Sequence, residues 1–511
     1  MYRFQGGTRT VSEMGAMGVA QMLAYVHHHW SPVQATGKEE GKNKERALQL
    51  LSQAQGSVGL EALGLVHEAA RWMPMEEKVM VVEVEKRQVE LCADLAIEMG
   101  VDGDSPDWVN DKLVVEQRKG QGRFVVARSP VAVGEELVRE SPAVAVLHHS
   151  HLATNCLACL RPVVHATPCS SCSSVIFCSP HCRQGATPHH SLECGHLPLL
   201  PGAGPLAPVL RLLTSTSREQ GLAMAACIAE YSGPPAEVDL QAKGDLLNLQ
   251  AGCKTGSQYR IDTAARAVYL LTLLKTMGYF EENSQAALDP EHLAIGALLN
   301  HFIKVSDDNC HEICELALPD SGEADGFDAL FQQVDQVVQV VGVAIYPKMS
   351  LFNNSCDVNT VKYQRDGQEV LVAKRDIREG EEVSDFYGEY FFQSDKWSRK
   401  KNLGFPCSCR ACKEGWPLLD NLPSFSETQL EARLEWAVGR VALEGELQGW
   451  QVAEVRRLCQ ELGRTAEVEA PHEALVLPGL YLHYAQIFLG ANCSLAFRLA
   501  YRRGKGTKEI K

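Results

Sequence analysis

Two hydrophobic periodicities alternate along the chain. From about 40 to 100, Ala47, Leu50, Leu51 and Ala54, then Val82, Val89, Ala93 and Ala96, recur at helical spacing and predict a helical region within 1–106. Beyond Asp107 the pattern shortens to β-branched runs at 112–117, 123–129, 136–141 and 143–147, separated by Gly and Pro, and this predicts strands over 107–155. Helical spacing returns over 195–300, most clearly at 266–280 and 291–302. An acidic stretch at 320–326 reads as an exposed loop, and β-patterning resumes at Val338. Asp366-Gly367 between two strand-like runs predicts a hairpin. After Trp416 the pattern is helical to residue 511, with Ser426 and Gln429 at capping-box spacing ahead of Leu430, Leu434, Val438 and Val441.

One echo crosses more than two hundred residues. Segments 126–138 and 372–383 share Ala-[Arg/Lys]-x-x-[Val/Ile]-x-x-Gly-Glu-Glu-[Leu/Val]. Two readings are open: one sheet-rich domain split by insertions, or turn chemistry that recurs by chance.

At 511 residues the chain exceeds one ordinary core, and 45% hydrophobic content permits fully packed domains. A formal charge of -15 argues against broad nucleic-acid binding, which needs a basic face to neutralise phosphate. The N-terminus lacks a continuous apolar segment and no long apolar run occurs elsewhere, so the expectation is a soluble protein of cytoplasm or nucleus, off the membrane. Eighteen cysteines are many for a reducing compartment, which makes clustered Cys and His candidate metal ligands rather than disulfides.

The spacing supports metal. Cys156, Cys159, Cys169, Cys172, Cys178, Cys182, His190 and Cys194 form a compact run of eight ligands, enough for two tetrahedral zinc sites. Between Cys156 and Cys194 the fixed positive charges are Arg161 and Arg183, too few for a DNA-binding finger. Further along, Cys407, Cys409 and Cys412 supply three close thiolates and lack a fourth. His27, His28 and His29, and the basic tail at 501–511, read as solvated segments.

These motifs resemble a known family. The eight-ligand run, ending in His190, Glu193 and Cys194, is similar to the MYND zinc finger, with His189 as a neighbouring competitor for His190. Asn353-Asn354-Ser355-Cys356-Asp357-Val358-Asn359, then Gly380-Glu381-Glu382-Val383, Tyr387 and the Cys407, Cys409, Cys412 trio follow the order of motifs in SET-domain lysine methyltransferases. Lys119-Gly120-Gln121-Gly122-Arg123 resembles the N-terminal SET element, and a finger between the two SET halves narrows the likeness to the SET and MYND family, of the subgroup with tetratricopeptide-like helical regions. No clean 34-residue repeat is visible, so a plain helical extension stands beside that reading.

The resemblance implies an α+β fold: SET N-terminal part 107–155, MYND finger 156–194, helical insertion 195–300, SET core 301–392, post-SET zinc region 393–415 and helical arms 1–106 and 416–511. It implies three zinc ions: Cys156, Cys159, Cys178 and Cys182 on one, Cys169, Cys172, His190 and Cys194 on the second, and Cys356 with Cys407, Cys409 and Cys412 on the third. It implies S-adenosylmethionine as cofactor, contacted by Lys119, Gly120, Gln121, Gly122, Asn309, Asn353, Asn354, Tyr387 and Phe405. Tyr387 is the catalytic candidate, its hydroxyl orienting a lysine amine. The implied partners are a lysine-bearing protein substrate and a proline-containing peptide at the finger, and the chain is expected to be a monomer. Three positions depart from the family pattern: Asn354 stands for His, Val358 for Pro and Leu403 for a second channel tyrosine. Leucine offers no hydroxyl. A weakly catalytic scaffold that recruits partners, for example in transcriptional repression, is therefore the alternative to a protein-lysine methyltransferase.

Overall fold

The computed structural model describes residues 110–118, 122–163, 165–197, 206–230, 246–247, 249, 257–280, 290–316, 338–365 and 367–423, with isolated positions at 457, 471, 492 and 493. The helical region expected over 1–106, the capping box at 426–429 and the helices after it, His27, His28 and His29, and the candidates Lys119, Gly120 and Gln121 lie outside the described residues.

Three small sheets carry the β-rich part. In the first, β1 (Leu113–Arg118) pairs antiparallel with β2 (Gly122–Ala127), and β2 also pairs with the late strand Glu382–Val383. In the second, β3 (Glu136–Glu140) and the hairpin partner Thr360–Arg365 flank Gln368–Ala373. In the third, β4 (Val144–Leu147) and Cys310–Leu316 flank Val338–Ile345, and Asn492–Cys493 adds a parallel edge. In chain order the remaining strands are β5 (Thr167–Pro168), β6 (Ile176–Phe177), β7 (Cys310–Leu316), β8 (Val338–Ile345), β9 (Thr360–Arg365), β10 (Gln368–Ala373), β11 (Glu382–Val383) and β12 (Asn492–Cys493). Gly342 of β8 is required by packing, because a Cβ there would stand 2.4 Å from the Val146 carbonyl of β4. The hairpin expected at 366–367 joins β9 to β10, with Gly367 at φ +81°.

The sequence echo is a structural repeat. The two segments lie antiparallel and exchange equivalent bonds about a local two-fold axis: Gly134 N donates to Ala373 O at 2.7 Å and Gly380 N to Ala127 O at 2.7 Å. Ala373 N donates to Glu135 O and Ala127 N to Glu381 O, while Val131 and Ile377 exchange a pair of bonds at the centre. Both glycines are left-handed, at φ +76° and +80°, and the first glutamate after each accepts the N–H three residues back, Ala132 for Glu135 and Arg378 for Glu381. The repeat thus joins the halves of one β domain, against the chance reading.

Between β4 and β7 the described residues form the cysteine-rich segment and then four helices. The former holds the β5–β6 hairpin with α1 (Pro180–Gly185) and α2 (Thr187–Glu193). Ser179 caps α1 by accepting the Cys182 N–H at 3.1 Å, and Pro180 fits its first turn. Helices α3 (Ala207–Thr214), α4 (Arg218–Glu230), α5 (Ser257–Thr276) and α6 (Pro290–Asn309) share a core that includes Leu210, Leu213, Leu271, Leu298 and Phe302. Helix α6 runs through residue 300, where the sequence reading divided insertion from core, because Ile303 and Val305 keep its apolar face buried. Its polar end, 306–309, continues the helix beyond the spacing visible at 291–302, and β7 begins at Cys310.

Candidate functional site

The three ligand groups each converge. The donor atoms of Cys156, Cys159, Cys178 and Cys182 lie within 4.8 Å of one another, as do those of Cys169, Cys172, His190 and Cys194, and those of Cys356, Cys407, Cys409 and Cys412. A tetrahedral zinc with Zn–S of about 2.3 Å sets sulfur–sulfur edges of about 3.8 Å. The observed sulfur separations are 3.7 Å for Cys159–Cys178, 3.4 Å for Cys178–Cys182, 4.0 Å for Cys169–Cys194 and 3.7 Å for Cys356–Cys412. These are edges of a coordination tetrahedron and far exceed the roughly 2.05 Å of a disulfide. Cys172 Sγ to His190 Nε2, 3.6 Å, fits a mixed edge. The donor sets could therefore hold zinc.

Local backbone builds these corners. In the two Cys-x-x-Cys turns of the finger, the residue after the second cysteine is left-handed, Leu160 at φ 62° and Ser173 at φ 53°, a conformation side chains adopt only under constraint. Ser171 N donates to Cys169 Sγ at 3.4 Å. The Phe177 ring meets His190 edge-on at 6.0 Å and orients the imidazole, while His189 turns away to Glu193 Oε2 at 3.4 Å. Four thiolates around a divalent ion leave a net charge of -2, and each all-cysteine group has an arginine beside it: Arg161 with Cys159, and Arg399 Nη2 with Cys412 Sγ at 3.5 Å. In the third group crowding divides the thiols. The hydrogen bond with Cys407 drives Cys356 far up, and that with Cys356 holds Cys409 far down, a mismatch a bound cation removes.

Glu193 anchors the finger. Its buried carboxylate takes a bidentate pair from Arg211 of α3, at 2.7 and 2.9 Å, and a hydrogen bond from Thr214 at 2.9 Å. Arg211 also reaches the Ala145 carbonyl of β4 at 3.4 Å, so one guanidinium ties finger, helices and sheet together.

The Asn353–Cys356 turn joins the third group to a cavity. Asn353 Nδ2 donates to Arg123 O at 3.2 Å and Glu382 Oε1 at 3.3 Å, which sets it beside Gly122. Gly122 has φ +77° and open space where a Cβ would stand, a backbone that a ligand can approach closely. Asn354 works in the other direction: its Oδ1 accepts from Tyr387 N at 3.1 Å and its Nδ2 donates to Cys407 Sγ at 3.5 Å. Tyr387, 44% exposed, donates its hydroxyl to Phe352 O at 2.8 Å. It borders a cavity of about 400 Å³ whose walls include Asn309, Ser350, Phe386 and Tyr390.

Of the candidates, Asn309 and Tyr387 line this cavity; Asn353, Asn354, Gly122 and Phe405 do not. Asn309 ends α6, its amide donating back to Val305 O at 2.8 Å. Phe405 is half-exposed just after Gly404, the left-handed residue that ends α7 (Lys396–Leu403) ahead of α8 (Arg410–Glu414). Leu403 closes α7 beside Gly388, the neighbour of Tyr387, so a side chain without a hydroxyl does stand near the cavity rim.

Sequence reasoning missed the cavity's ionic lining. Lys362 Nζ of β9 pairs with Asp385 Oδ2 at 2.6 Å, and His311 of β7 stands 3.1 Å from Glu369 of β10. Glu312, pushed up by burial, faces the same space. Lys362 and Gln364 alternate along β9 as a solvent-facing strand would, and the sequence carries no signal that they face a cleft. Glu140 was also missed. It ends β3 and accepts the Lys348 and Met349 N–H groups at 2.9 to 3.1 Å, fixing the chain that leads into Asn353.

Known proteins give this arrangement its context. The model of the SET domain matches residues 122–388, more than half of the chain. Histone-lysine N-methyltransferase ASHR2 of Arabidopsis thaliana is 24% identical over 327 residues, covering 59% of this chain and 72% of the relative. Histone-lysine N-methyltransferase SMYD3 of Homo sapiens is 26% identical over 310 residues, covering 57% of this chain and 59% of the relative. SET domain and MYND-type zinc finger protein 6 of Schizosaccharomyces pombe is 29% identical over 92 residues, 18% of this chain and 19% of its own length. With a SET match that brackets a finger-like cysteine array, and relatives of this kind, the chain belongs to the SET and MYND domain-containing family.

Proposed function

We propose that the protein is an S-adenosylmethionine-dependent protein-lysine N-methyltransferase, acting on lysines of histones or other proteins. The observation that carries this reading is Tyr387 at the rim of a cavity, bonded through its N–H to Asn354 and through its hydroxyl to the Phe352 carbonyl, on either side of Asn353, which donates to the Arg123 carbonyl beside Gly122. S-adenosylmethionine, when bound, supplies an electrophilic methyl group on a sulfonium. Gly122, Asn353 and the Asn354 backbone would hold it, with Asn309 at the cavity wall; Lys119, Gly120, Gln121 and Phe405 complete the proposed set.

The protein's own part is placement. Tyr387 Oη is fixed by its bond to the Phe352 carbonyl, and in the proposed reaction it would accept a hydrogen bond from the incoming amine, orienting it and stabilising charge as it develops. Asn354 fixes the Tyr387 backbone against Cys407, so metal at the third group holds the catalytic tyrosine in place. We assign structural zinc to all three groups. The finger would present a surface for proline-containing peptides. No described helix is long and apolar enough to cross a membrane, and the reading places the protein in cytoplasm or nucleus, as a monomer.

The test is transfer of labelled methyl from S-adenosylmethionine to histones or cell-extract protein, comparing the unaltered chain with Tyr387→Phe. Loss of one positioned hydroxyl should lower the rate by about 100-fold or more. Leu403 beside the rim favours the second reading, a weakly catalytic scaffold. Absence of transfer alongside saturable cofactor binding would select it.

A further inference from the structure

The cavity bordered by Tyr387 already contains a cation. Lys362 projects into it from β9, at the edge of its sheet, and its ammonium meets Asp385 Oδ2 at 2.6 Å. Asp385 is no mobile surface carboxylate. It is 4% exposed in its side chain, its N–H donates to Asn353 O at 2.9 Å and its carbonyl accepts the Ser355 N–H at 3.0 Å. The anchor of Lys362 is thus bolted to the turn that positions Tyr387, two residues away in sequence.

The rest of the lining suits a cation. Glu312 faces Lys362 from β7, Glu369 from β10 is partnered by His311, and Asp308 contributes from the end of α6. Phe386, Tyr387 and Tyr390 add ring faces, with Phe386 stacked on Tyr390 at 4.1 Å. Burial pushes the Lys362 ammonium down, but Asp385 and Glu369 outweigh it and keep it protonated. A protonated amine cannot accept a methyl group, which argues against Lys362 as a substrate of its own site.

We infer that Lys362 is a resident competitor: its ammonium holds the cation position of the acceptor cavity, and a lysine-bearing ligand enters only by displacing it from Asp385. The inference rests on the acceptor reading of this cavity, and it makes access to the site, rather than the chemistry, the controlled step.

The probe is N-acetyl-lysine N-methylamide, with the norleucine analogue as control, followed by ligand-observed NMR on the full chain. Lys362→Met and Lys362→Gln should each bind the lysine probe about tenfold more tightly than the unaltered chain, while Lys362→Arg should bind as weakly as the unaltered chain. The double change Lys362→Met/Asp385→Asn should lose the gain, and the norleucine analogue should not discriminate. Equal affinity in Met and Gln variants that melt as the unaltered chain does would overturn the inference, as would a gain that survives loss of the Asp385 charge. Calorimetry with S-adenosylmethionine on the same samples separates the two ideas, since failure to bind cofactor would reject the methyltransferase reading and leave the amine competition to be read from the NMR.

Discussion

The finger and the third cysteine group are built from the same donor chemistry in opposite ways. The finger draws eight ligands from one continuous segment, and its core is a few small contacts among Leu157, Val175, Phe177, Ala186 and Leu197. The third group draws Cys356 from the end of a turn and its partners from beyond residue 406, and Tyr390, Phe391, Phe392 and Trp416 surround it, with Phe391 edge-on to Trp416 at 5.0 Å. A structural zinc binds with about 10–16 kcal/mol, comparable to the whole stability of a domain. On the proposed zinc reading, that energy would decide whether the finger segment folds. For the third group, which has an aromatic core of its own, it would decide where the Asn353–Tyr387 region sits. The lesson is that ligand groups of the same chemistry need not be equivalent in consequence: one would make a module, the other would shape a pocket.

The largest effects should therefore separate the two by function. Cys356→Ser should lower the zinc count by native mass spectrometry from three to two and weaken S-adenosylmethionine binding by about tenfold or more, because Asn353 and Asn354 lose the corner that holds them. Cys172→Ser should also cost one zinc while leaving cofactor affinity within about twofold, since the finger touches neither residue. Equal loss of cofactor binding in both would abolish the distinction.

The same contrast governs how much could be read without coordinates. The finger was legible because its ligands are sequence neighbours at knuckle spacing. The echo between residues 126–138 and 372–383 was also visible, and the pairing of Gly134 with Ala373 and Gly380 with Ala127 explains why both copies keep Gly-Glu-Glu. Cys356 could be attached to its distant partners only through family resemblance, since spacing says nothing about a residue fifty positions away. The ionic lining was invisible. Lys362 meets Asp385 of the segment after β11, and His311 meets Glu369 through the apposition of separate sheets, while a polar residue on alternate strand positions reads as solvent-facing. The extension of α6 to Asn309 lay beyond the apolar spacing at 291–302 because Ser306, Asp307, Asp308 and Asn309 are all polar, whereas Arg266 of α5 clasps Asp307 at 3.1 Å and stabilises that end.

A middle-sized effect probes how the finger is docked. Arg211→Leu removes the guanidinium from a carboxylate that is 1% exposed, leaving Glu193 buried with Thr214 and His189 beside it and no arginine to balance its charge. Breaking such a pair costs about 3–5 kcal/mol. We expect proteolysis between residues 194 and 207 to accelerate and the thermal midpoint to fall, with all three zinc ions retained. Replacing both partners, Arg211→Leu with Glu193→Leu, should recover much of the loss, because no buried charge is then left over. If the single change leaves the midpoint untouched, the clamp contributes nothing and the finger is held by its neighbours.

The smallest effect concerns the turn itself and depends on pH. Burial pushes Glu140 up to about 7, even though the Lys348 and Met349 N–H groups favour its charged form. A carboxyl raised above its unfolded value near 4.5 binds its proton more tightly in the folded chain, so its stabilising contribution is complete below about 4.5 and disappears as pH rises through 7. The expected change over that interval is about 1–3 kcal/mol. Glu140→Gln removes the titration, so the difference in unfolding free energy between the two chains should slope between pH 4.5 and 7 and be flat above 8. Because Glu140 sets the entry to the turn carrying Asn353, cofactor affinity should follow the same slope, while that of the finger's zinc should not. A difference curve that is flat throughout would place the Glu140 proton elsewhere and remove the link between this buried carboxyl and the pocket.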